Sequence, residues 1–191
     1  MTLSTTSTQR DLATEVFESP LGVKTFFKTI EILTDQNNLA LLEPKLETHL
    51  EPQDFFYIQD FTDESYSWVL ESGIQNGTLT IQALHTTCLL GINELDEPCL
   101  LGDINQAVRR FFPKNERYLH NSSLRTKNLC ESDTKCDRNA DAHLKSFLFG
   151  SPTQTLIIRD GKPVYGQWQR LCFIDFDGPR RRQLMIQAMG V

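Results

Sequence analysis

The chain has 191 residues, of which 39% are hydrophobic and 23% charged; this supports one good hydrophobic core and leaves little room for a second domain. The net charge of -6 and the pI near 5.2 argue against a nucleic-acid or anionic-membrane binder, because neutralising phosphates needs clustered cations. No apolar run approaches the roughly 20 residues that span a bilayer, and the first residues lack the apolar core of a secretory signal, so we expect a cytoplasmic protein.

The amino-terminal third predicts an arm, two strands and a loop. Residues 1–19 are rich in Ser and Thr without a sustained period, which predicts a flexible arm before a single domain over residues 20–191. Residues 23–33 and 55–58 have the apolar and β-branched character of strands. Between them, an acidic, proline-bearing stretch predicts an inserted loop over about residues 37–54. Its His49 is interpreted as a solvated surface residue.

Two helices and a strand follow. Thr62, with acids in the next two positions, predicts the N-cap of a short helix that Gly73 ends. An alternating strand then begins at residue 78, and its apolar face carries Leu79, Ile81, Ala83 and His85, which makes His85 half-buried. Pro98 opens an amphipathic helix that Pro113 stops, and its apolar stripe is Leu101, Ile104, Val108, Phe111 and Phe112.

The carboxy-terminal half predicts a long polar connection, a helix and three strands. The connection, residues 114–138, contains His120, and Asn139 caps a helix that runs to Gly150 with His143 one turn inside. Strands are predicted over residues 155–158, 165–176 and 182–189, with turns at residues 160–161 and 177–179. Because both faces of the last strands carry apolar residues, we expect an α+β fold in which two mostly antiparallel β-sheets pack as a sandwich with a few helices.

Cysteine usage points to a reducing compartment. Five cysteines are an odd number without a dense framework, so free thiols are expected, although Cys130 and Cys136 could pair in an oxidised sample. Cys88 lacks a clear activating neighbour and is interpreted as a small buried hydrophobe.

Three histidines stand in polar settings on separate predicted elements. His85, His120 and His143 could converge as three ligands of a divalent metal and leave positions open for water or substrate. A histidine in a strand is, however, more often a hydrogen-bonded core residue than a ligand. The spacing alone favours that structural reading, since no local two-histidine motif is present.

Charged and aromatic residues around these histidines leave further alternatives open. Glu94 could serve as general base, metal ligand or ligand orienter, or simply cap a turn. Arg180 follows a rigid turn and suits phosphate oxygens, or it belongs to a solvated strand edge. Lys145, near a helix N-terminus, favours an anion pocket. Trp168 and Gln169 could stack on and hydrogen-bond a flat heterocycle, although tryptophan in a central strand is more often core.

Seven short motifs in a fixed order carry a family resemblance. Over roughly residues 55–191 the chain resembles the YjbQ-like family in His85-Thr86-Thr87, Ile92-Asn93-Glu94, Asp103, Tyr118-Leu119-His120, Asn139 with Ala142-His143-Leu144-Lys145, Gly166-Gln167-Trp168-Gln169 and Asp177-Gly178-Pro179-Arg180.

The resemblance implies a compact α+β sandwich that assembles as a homotrimer with sites near subunit contacts. Family members are named secondary thiamine-phosphate synthases, so the implied reaction joins hydroxymethylpyrimidine diphosphate to thiazole phosphate and releases pyrophosphate. Small phosphorylated metabolites are then the partners, with neither nucleic acid nor membrane. The implied cofactor is a divalent metal, zinc or magnesium.

The resemblance also assigns roles to residues of this chain. It implies metal ligation by His85, His120 and His143, catalysis by Glu94, Arg180 and Lys145, and substrate binding by Thr86, Thr87, Asn93, Trp168 and Gln169.

This chain departs from the family pattern in two motifs and in the 37–54 insertion. Many relatives have an acid where this chain has Ser122 and a histidine where it has Asp141, which could substitute as ligand or orienter. Two other function classes use the same residues. One is non-catalytic binding of a phosphorylated metabolite, and the other is metal-dependent phosphoester hydrolysis with Glu94 as base.

Overall fold

The computed structural model describes residues 9–34, 56–127 and 138–191. The predicted insertion at residues 37–54, with His49, lies outside the described residues, as do Cys130 and Cys136. None of the described helices is both long and apolar enough to cross a membrane. In chain order, the strands and helices are β1 Arg10–Glu18, β2 Lys24–Thr34, β3 Tyr57–Asp60, α1 Thr62–Ser72, β4 Gly77–Ala83, β5 Cys88–Asn93, α2 Pro98–Phe111, α3 Ala140–Phe149, β6 Thr153–Arg159, β7 Lys162–Pro163, β8 Arg170–Asp175 and β9 Arg180–Gly190.

The strands form two antiparallel sheets, which confirms the predicted α+β class. The larger sheet has the order β1-β2-β9-β4-β6-β7 and the smaller one the order β3-β8-β5. Every pairing within them is antiparallel. The register Cys88↔Asp175 in the small sheet and Thr34↔Arg180 in the large sheet fixes the strand ends that carry the candidate site.

The core lies between the two sheets. Alternate residues of β2, β4 and β9 turn inward, as the period of two requires, and meet the small sheet and α1 in one cluster that includes Phe26, Ile81, Ile186, Phe173 and Trp68. Helix α2 covers the other face of the small sheet, where Leu101 packs against Leu95 and Cys172. The central strand β8 is therefore buried on both faces, as predicted.

Helix ends follow the local sequence closely. Helix α2 begins at Pro98, as predicted, and the Glu97 carboxylate caps it by accepting hydrogen bonds from the backbone N–H groups of Cys99 and Leu100. Helix α1 begins at Thr62, so Phe61 and not Thr62 is the N-cap. The Asp60 carboxylate accepts the Thr62 N–H at 2.8 Å in place of a capping hydroxyl.

Three predictions about strands are wrong in part. Residues 10–18, predicted as part of a flexible arm, form the edge strand β1; all nine are exposed, so they show no period of burial. The strand predicted over residues 165–176 begins only at Arg170, because Gly166 and Gln169 close a turn through two hydrogen bonds. The inner face of β9 is buried, but Met185 on its other face is exposed.

Candidate functional site

Four connections meet at one end of the small sheet. They are the turn of residues 84–87 between β4 and β5, the 3-10 turn Leu119–Asn121, the start of α3, and residues 176–179 between β8 and β9. The Asn121 side chain accepts the Ala140 N–H at 3.1 Å, and the Ser146 hydroxyl donates to the Cys88 carbonyl at 2.8 Å. These two hydrogen bonds fasten α3 to the 3-10 turn and to the small sheet.

His85 lies in the first of these connections. Strand β4 ends at Ala83, two residues before the predicted position, so His85 sits half-buried in a turn and not on the strand face. Its Nδ1 lies 2.9 Å from the Thr87 hydroxyl oxygen and accepts the Thr87 backbone N–H at 3.3 Å. Thr87 is fully buried, so it holds one side of the imidazole in place.

A buried ion pair lies behind Thr87. The Arg182 guanidinium donates to both oxygens of Asp175, through Nε at 2.8 Å and Nη2 at 3.1 Å. Asp175 is 1% exposed and Arg182 4%. Thr34 Oγ1 and the Asp177 N–H also donate to the carboxylate. Burial alone would raise the pKa of Asp175, but the hydrogen bonds and charge of Arg182 hold that pKa below its usual value.

A second series of side-chain hydrogen bonds leads from Asp177 to His120. Asp177 Oδ2 accepts hydrogen bonds from Asn139 Nδ2 at 2.9 Å and from Arg180 Nε at 3.1 Å. Asn139 Oδ1 in turn lies 3.3 Å from His120 Nε2, and Arg125 Nη1 lies 3.2 Å from the same nitrogen. This series of hydrogen bonds therefore joins Arg180, which the sequence predicted for the site, to His120, one of the predicted histidines.

The third histidine closes the cluster. The His143 ring lies edge-on to the His120 ring with 5.0 Å between centroids, and it is hydrogen-bonded to the backbone of Thr86. Burial, followed by the nearby His120, lowers the pKa of His143. Burial and the positive charge of Arg182 likewise lower the pKa of His85. Both imidazoles are therefore predominantly neutral at pH 7.

A cavity of about 550 Å³ opens beside His85. Its walls come from the 84–87 turn and from the end of α3, with Leu84, Thr86, Ser146 and Phe147 among the lining residues. The side chain of Phe147 is 84% exposed. This cavity offers an apolar, partly aromatic wall directly next to the imidazole cluster.

Four of the predicted site residues lie elsewhere in the same chain. Asn93 pairs with Arg170 at the opposite end of the small sheet, and Glu94 follows it. With a rise of about 3.3 Å per residue, Glu94 lies about 20 Å along β5 from the end that carries the histidines. Trp168, which is 61% exposed, and Gln169 precede Arg170 at that same far end.

Lys145 lies inside the molecule rather than facing an anion pocket. Its Nζ donates to Asp141 Oδ2 at 2.7 Å, one helical turn back, and both side chains are buried. Asp141, which stands where many relatives have histidine, is thus engaged by Lys145. The catalytic role that the resemblance implies for Lys145 stays a prediction.

The residues present do not fit a three-histidine metal centre as they are arranged. Within the described residues, no group of three or more His, Cys, Asp and Glu side chains is placed to hold a metal ion. The Arg125 guanidinium at 3.2 Å from His120 Nε2 puts a positive charge where a cation would bind, and His85 Nδ1 already accepts from Thr87. The divalent metal that the resemblance implies stays a prediction.

Sequence reasoning missed the residues that support the cluster, namely the buried Thr34, Asp175 and Arg182 and the half-buried Arg125. Two of them carried a usable signal. Asp175 interrupts an apolar run, and Arg182 stands two residues before Leu184 in the strand alternation, which places a charged pair on the core side. Arg125 lies in an irregular connection and carried no such signal.

Comparison with known proteins identifies the family. The profile described as UPF0047 protein YjbQ-like matches residues 47–191, which is most of the chain. The chain belongs to the YjbQ-like family. It is 37% identical over 131 residues to a UPF0047 protein of Methanocaldococcus jannaschii, covering 69% of this chain and 83% of that protein. It is 33% identical over 131 residues to the UPF0047 protein YugU of Bacillus subtilis, covering 69% and 88%.

Solved structures of YjbQ-like proteins share the fold. A protein of unknown function from Sulfolobus solfataricus matches with a TM-score of 0.67 and 27% identity, covering 88% of this chain and 99% of that one. A YjbQ/UPF0047 family protein from Clostridium acetobutylicum matches with a TM-score of 0.59 and 32% identity, covering 70% and 91%. Family membership thus rests on both sequence and fold, whereas these names describe no reaction.

Proposed function

We propose that this protein binds small phosphorylated metabolites at the imidazole cluster and acts as a secondary thiamine-phosphate synthase-like transferase. The observation that supports this proposal is the convergence of His85, His120, His143 and Arg180 from four separate segments of the chain beside a cavity of about 550 Å³. Such a cluster supplies N–H donors and guanidinium charge, which suit phosphate oxygens.

The proposed reaction needs charge stabilisation above all. The ring nitrogen of thiazole phosphate forms a C–N bond to the methylene of hydroxymethylpyrimidine diphosphate as the C–O bond to the diphosphate breaks, and pyrophosphate leaves with that electron pair. Arg180 and Arg125 would stabilise the negative charge that grows on the departing diphosphate. The cavity lined by Phe147 would hold the pyrimidine ring against an aromatic face.

A divalent metal, zinc or magnesium, belongs to the proposal only as a cofactor implied by family resemblance. When bound, it would supply further positive charge to the departing diphosphate. The protein residues described above bind and orient the substrates without it. The assay therefore needs arms with Mg²⁺, with Zn²⁺ and with a chelator.

The homotrimer also enters as a proposal. Glu94, Trp168 and Gln169 lie at the far end of the small sheet from the histidines, so they would join one site only if another subunit supplied them. Light scattering should then give about three times the 21.9 kDa mass of one chain. A stable monomer would remove these three residues from the proposed site.

The second candidate is a binding protein without turnover. It is favoured by the absence of Glu94 from the cluster in one chain, since among the described residues of the cluster no other carboxylate is placed as a general base: Asp175 is held by Arg182, and Asp177 by Asn139 and Arg180. The same observation weighs against phosphoester hydrolysis, which needs a base beside its water.

The deciding experiment measures thiamine phosphate formation from the two phosphorylated precursors. Wild type is compared with His143→Ala and with a control, Arg159→Ala, whose side chain is exposed on β6. We expect turnover in wild type and in the control and its loss in His143→Ala, with circular dichroism showing that all three fold alike. No turnover in wild type under any metal condition would refute the transferase. Phosphate binding that survives in that case would favour the binding protein.

A further inference from the structure

We propose that Thr87 fixes His85 as the neutral tautomer with its proton on Nε2, so that His85 serves the site as a hydrogen-bond donor to an anionic phosphate oxygen and not as a metal ligand. This inference rests on the proposed function only in treating the cluster as a phosphate site. The tautomer itself is measurable without substrate or turnover.

The backbone of Thr87 decides the tautomer. Its N–H donates to His85 Nδ1 at 3.3 Å. A backbone N–H can only donate, so Nδ1 must present its lone pair. A neutral imidazole carries one ring proton, and that proton must then be on Nε2.

The hydroxyl of Thr87 acts in the same direction. Thr87 Oγ1 accepts a hydrogen bond from Arg182 Nη2 at 3.2 Å, and its single proton has two acceptors within reach. His85 Nδ1 at 2.9 Å is closer than Asp175 Oδ1 at 3.3 Å. Asp175 Oδ1 already accepts from the Asp177 N–H and from Arg182. The Thr87 hydroxyl therefore donates its hydrogen bond to the lone pair of His85 Nδ1.

The opposite tautomer would create a conflict. A proton on Nδ1 would point at the Thr87 N–H, so two donors would face each other at a fully buried residue. The hydroxyl could reverse and donate to Asp175, but the backbone amide has no such freedom. Metal ligation through Nε2 requires this unfavourable tautomer, because a metal binds the lone pair and not the N–H.

The surroundings favour an anion as the partner of the Nε2 proton. The negative charges of Asp175 and Asp177 are matched by Arg182 and Arg180, while Arg125 brings a further positive charge to the same cluster. His85 also lines the cavity of about 550 Å³. A neutral imidazole N–H beside guanidinium groups can donate to a phosphate oxygen, as preorganised donors do in sites that bind developing anions.

Nitrogen-15 spectroscopy tests the tautomer directly. Long-range proton–nitrogen correlation spectra of the full chain, labelled at histidine nitrogens, distinguish a protonated from an unprotonated ring nitrogen, and His85 is assigned by the signals that His85→Gln lacks. We expect a protonated Nε2 and an unprotonated Nδ1, unchanged by one equivalent of Zn²⁺. A protonated Nδ1, or loss of the Nε2 proton when Zn²⁺ is added, would overturn the proposal.

Two substitutions of Thr87 test the role given to its backbone N–H. Thr87→Ser keeps both the hydroxyl and the backbone N–H and should keep the wild-type pattern. Thr87→Val keeps only the backbone N–H, and because that N–H decides the tautomer, the variant should also retain the Nε2 proton of His85. A protonated Nδ1 in a folded Thr87→Val would contradict the role given to the backbone N–H. Should the valine variant fail to fold, the spectrum of wild type still decides the tautomer.

Titration with inorganic phosphate tests the donor role. We expect it to shift the His85 Nε2–H signal. His85→Gln, which keeps an N–H donor on a side chain that ligates metals poorly, should bind phosphate nearly as well as wild type, and His85→Ala should lose about tenfold in affinity, the value of one hydrogen bond to a charged group. Equal loss in both variants, or no shift in wild type, would contradict the donor role.

Discussion

The buried ion pair behind His85 should be the most sensitive point of the molecule to substitution. Asp175→Asn removes the carboxylate charge and leaves the Arg182 guanidinium, 4% exposed, with only the more distant Asp177 carboxylate at 3.7 Å as counter-charge. The asparagine amide also places a donor among groups that donate to the carboxylate: Arg182, Thr34 and the Asp177 N–H. Breaking a buried pair in this way costs about 3–5 kcal/mol of the free energy of unfolding, a large part of the total for a domain.

A neighbouring ion pair on the same strand provides the matched control. Arg181 Nη1 lies 2.7 Å from Glu31 Oε1, but the Arg181 side chain is 71% exposed. Glu31→Gln should therefore lower the free energy of unfolding by no more than about 1 kcal/mol. Urea unfolding followed by circular dichroism measures both variants. Equal, small losses would refute the reasoning. The double variant Asp175→Leu with Arg182→Leu should regain part of the lost stability, because it leaves no unpaired charge in the core.

Three further predictions concern acid stability, the pair inside α3 and subunit contacts. Folding lowers the pKa of Asp175, so the contribution of Asp175 to the free energy of unfolding is full above the unfolded pKa near 3.8 and is lost as the pH falls through the folded pKa. The loss of stability in acid should therefore be less steep in Asp175→Asn than in wild type. Lys145→Met should lower the free energy of unfolding, measured in urea, by about 3–5 kcal/mol because it leaves Asp141 buried and without its ion-pair partner. A loss under about 1 kcal/mol would show that Asp141 is solvated. If subunits share sites, refolded mixtures of His143→Ala and Glu94→Ala should recover transferase activity that neither variant has alone, and full activity of Glu94→Ala by itself would contradict a role for that carboxylate.

Patterns of burial made most of the fold predictable from the sequence. Helix α2 has both a proline start and a regular apolar stripe, and the structure begins it at Pro98. Strands β4 and β9 alternate because one face meets the core. Strand β1 carried no such pattern because none of its residues is buried; pairing with β2, together with the Asp11–Lys28 ion pair and the Phe17–Phe27 ring contact, holds it in place. The periodicity of apolar residues in a sequence therefore reflects burial, and it cannot predict an edge strand whose residues are all exposed.

From the sequence, only the less buried residues of the candidate site could be predicted. The motif order named His85, His120, His143 and Arg180, which the structure brings together. It did not reveal that Thr87 belongs to a network with Asp175, because that contact joins residues 88 positions apart in the chain. Local patterns also could not place Trp168, which the turn before β8 leaves on the surface. Register between strands, and not spacing along the chain, decides which motif residues meet.

Register also limits what Glu94 can do. A general base must lie about 2.6–3.2 Å from the proton it takes, or act through one water. Glu94 lies about 20 Å along β5 from the imidazole end, so the Glu94 carboxylate of the same chain cannot act there. The reaction proposed here needs no general base, because diphosphate departs with the electron pair and the attacking thiazole nitrogen has no proton to lose; a Glu94 supplied by another subunit would orient substrate and not take a proton. What this step needs is positive charge and N–H donors around the diphosphate, and the cluster supplies these within one chain through Arg180, Arg125 and His85.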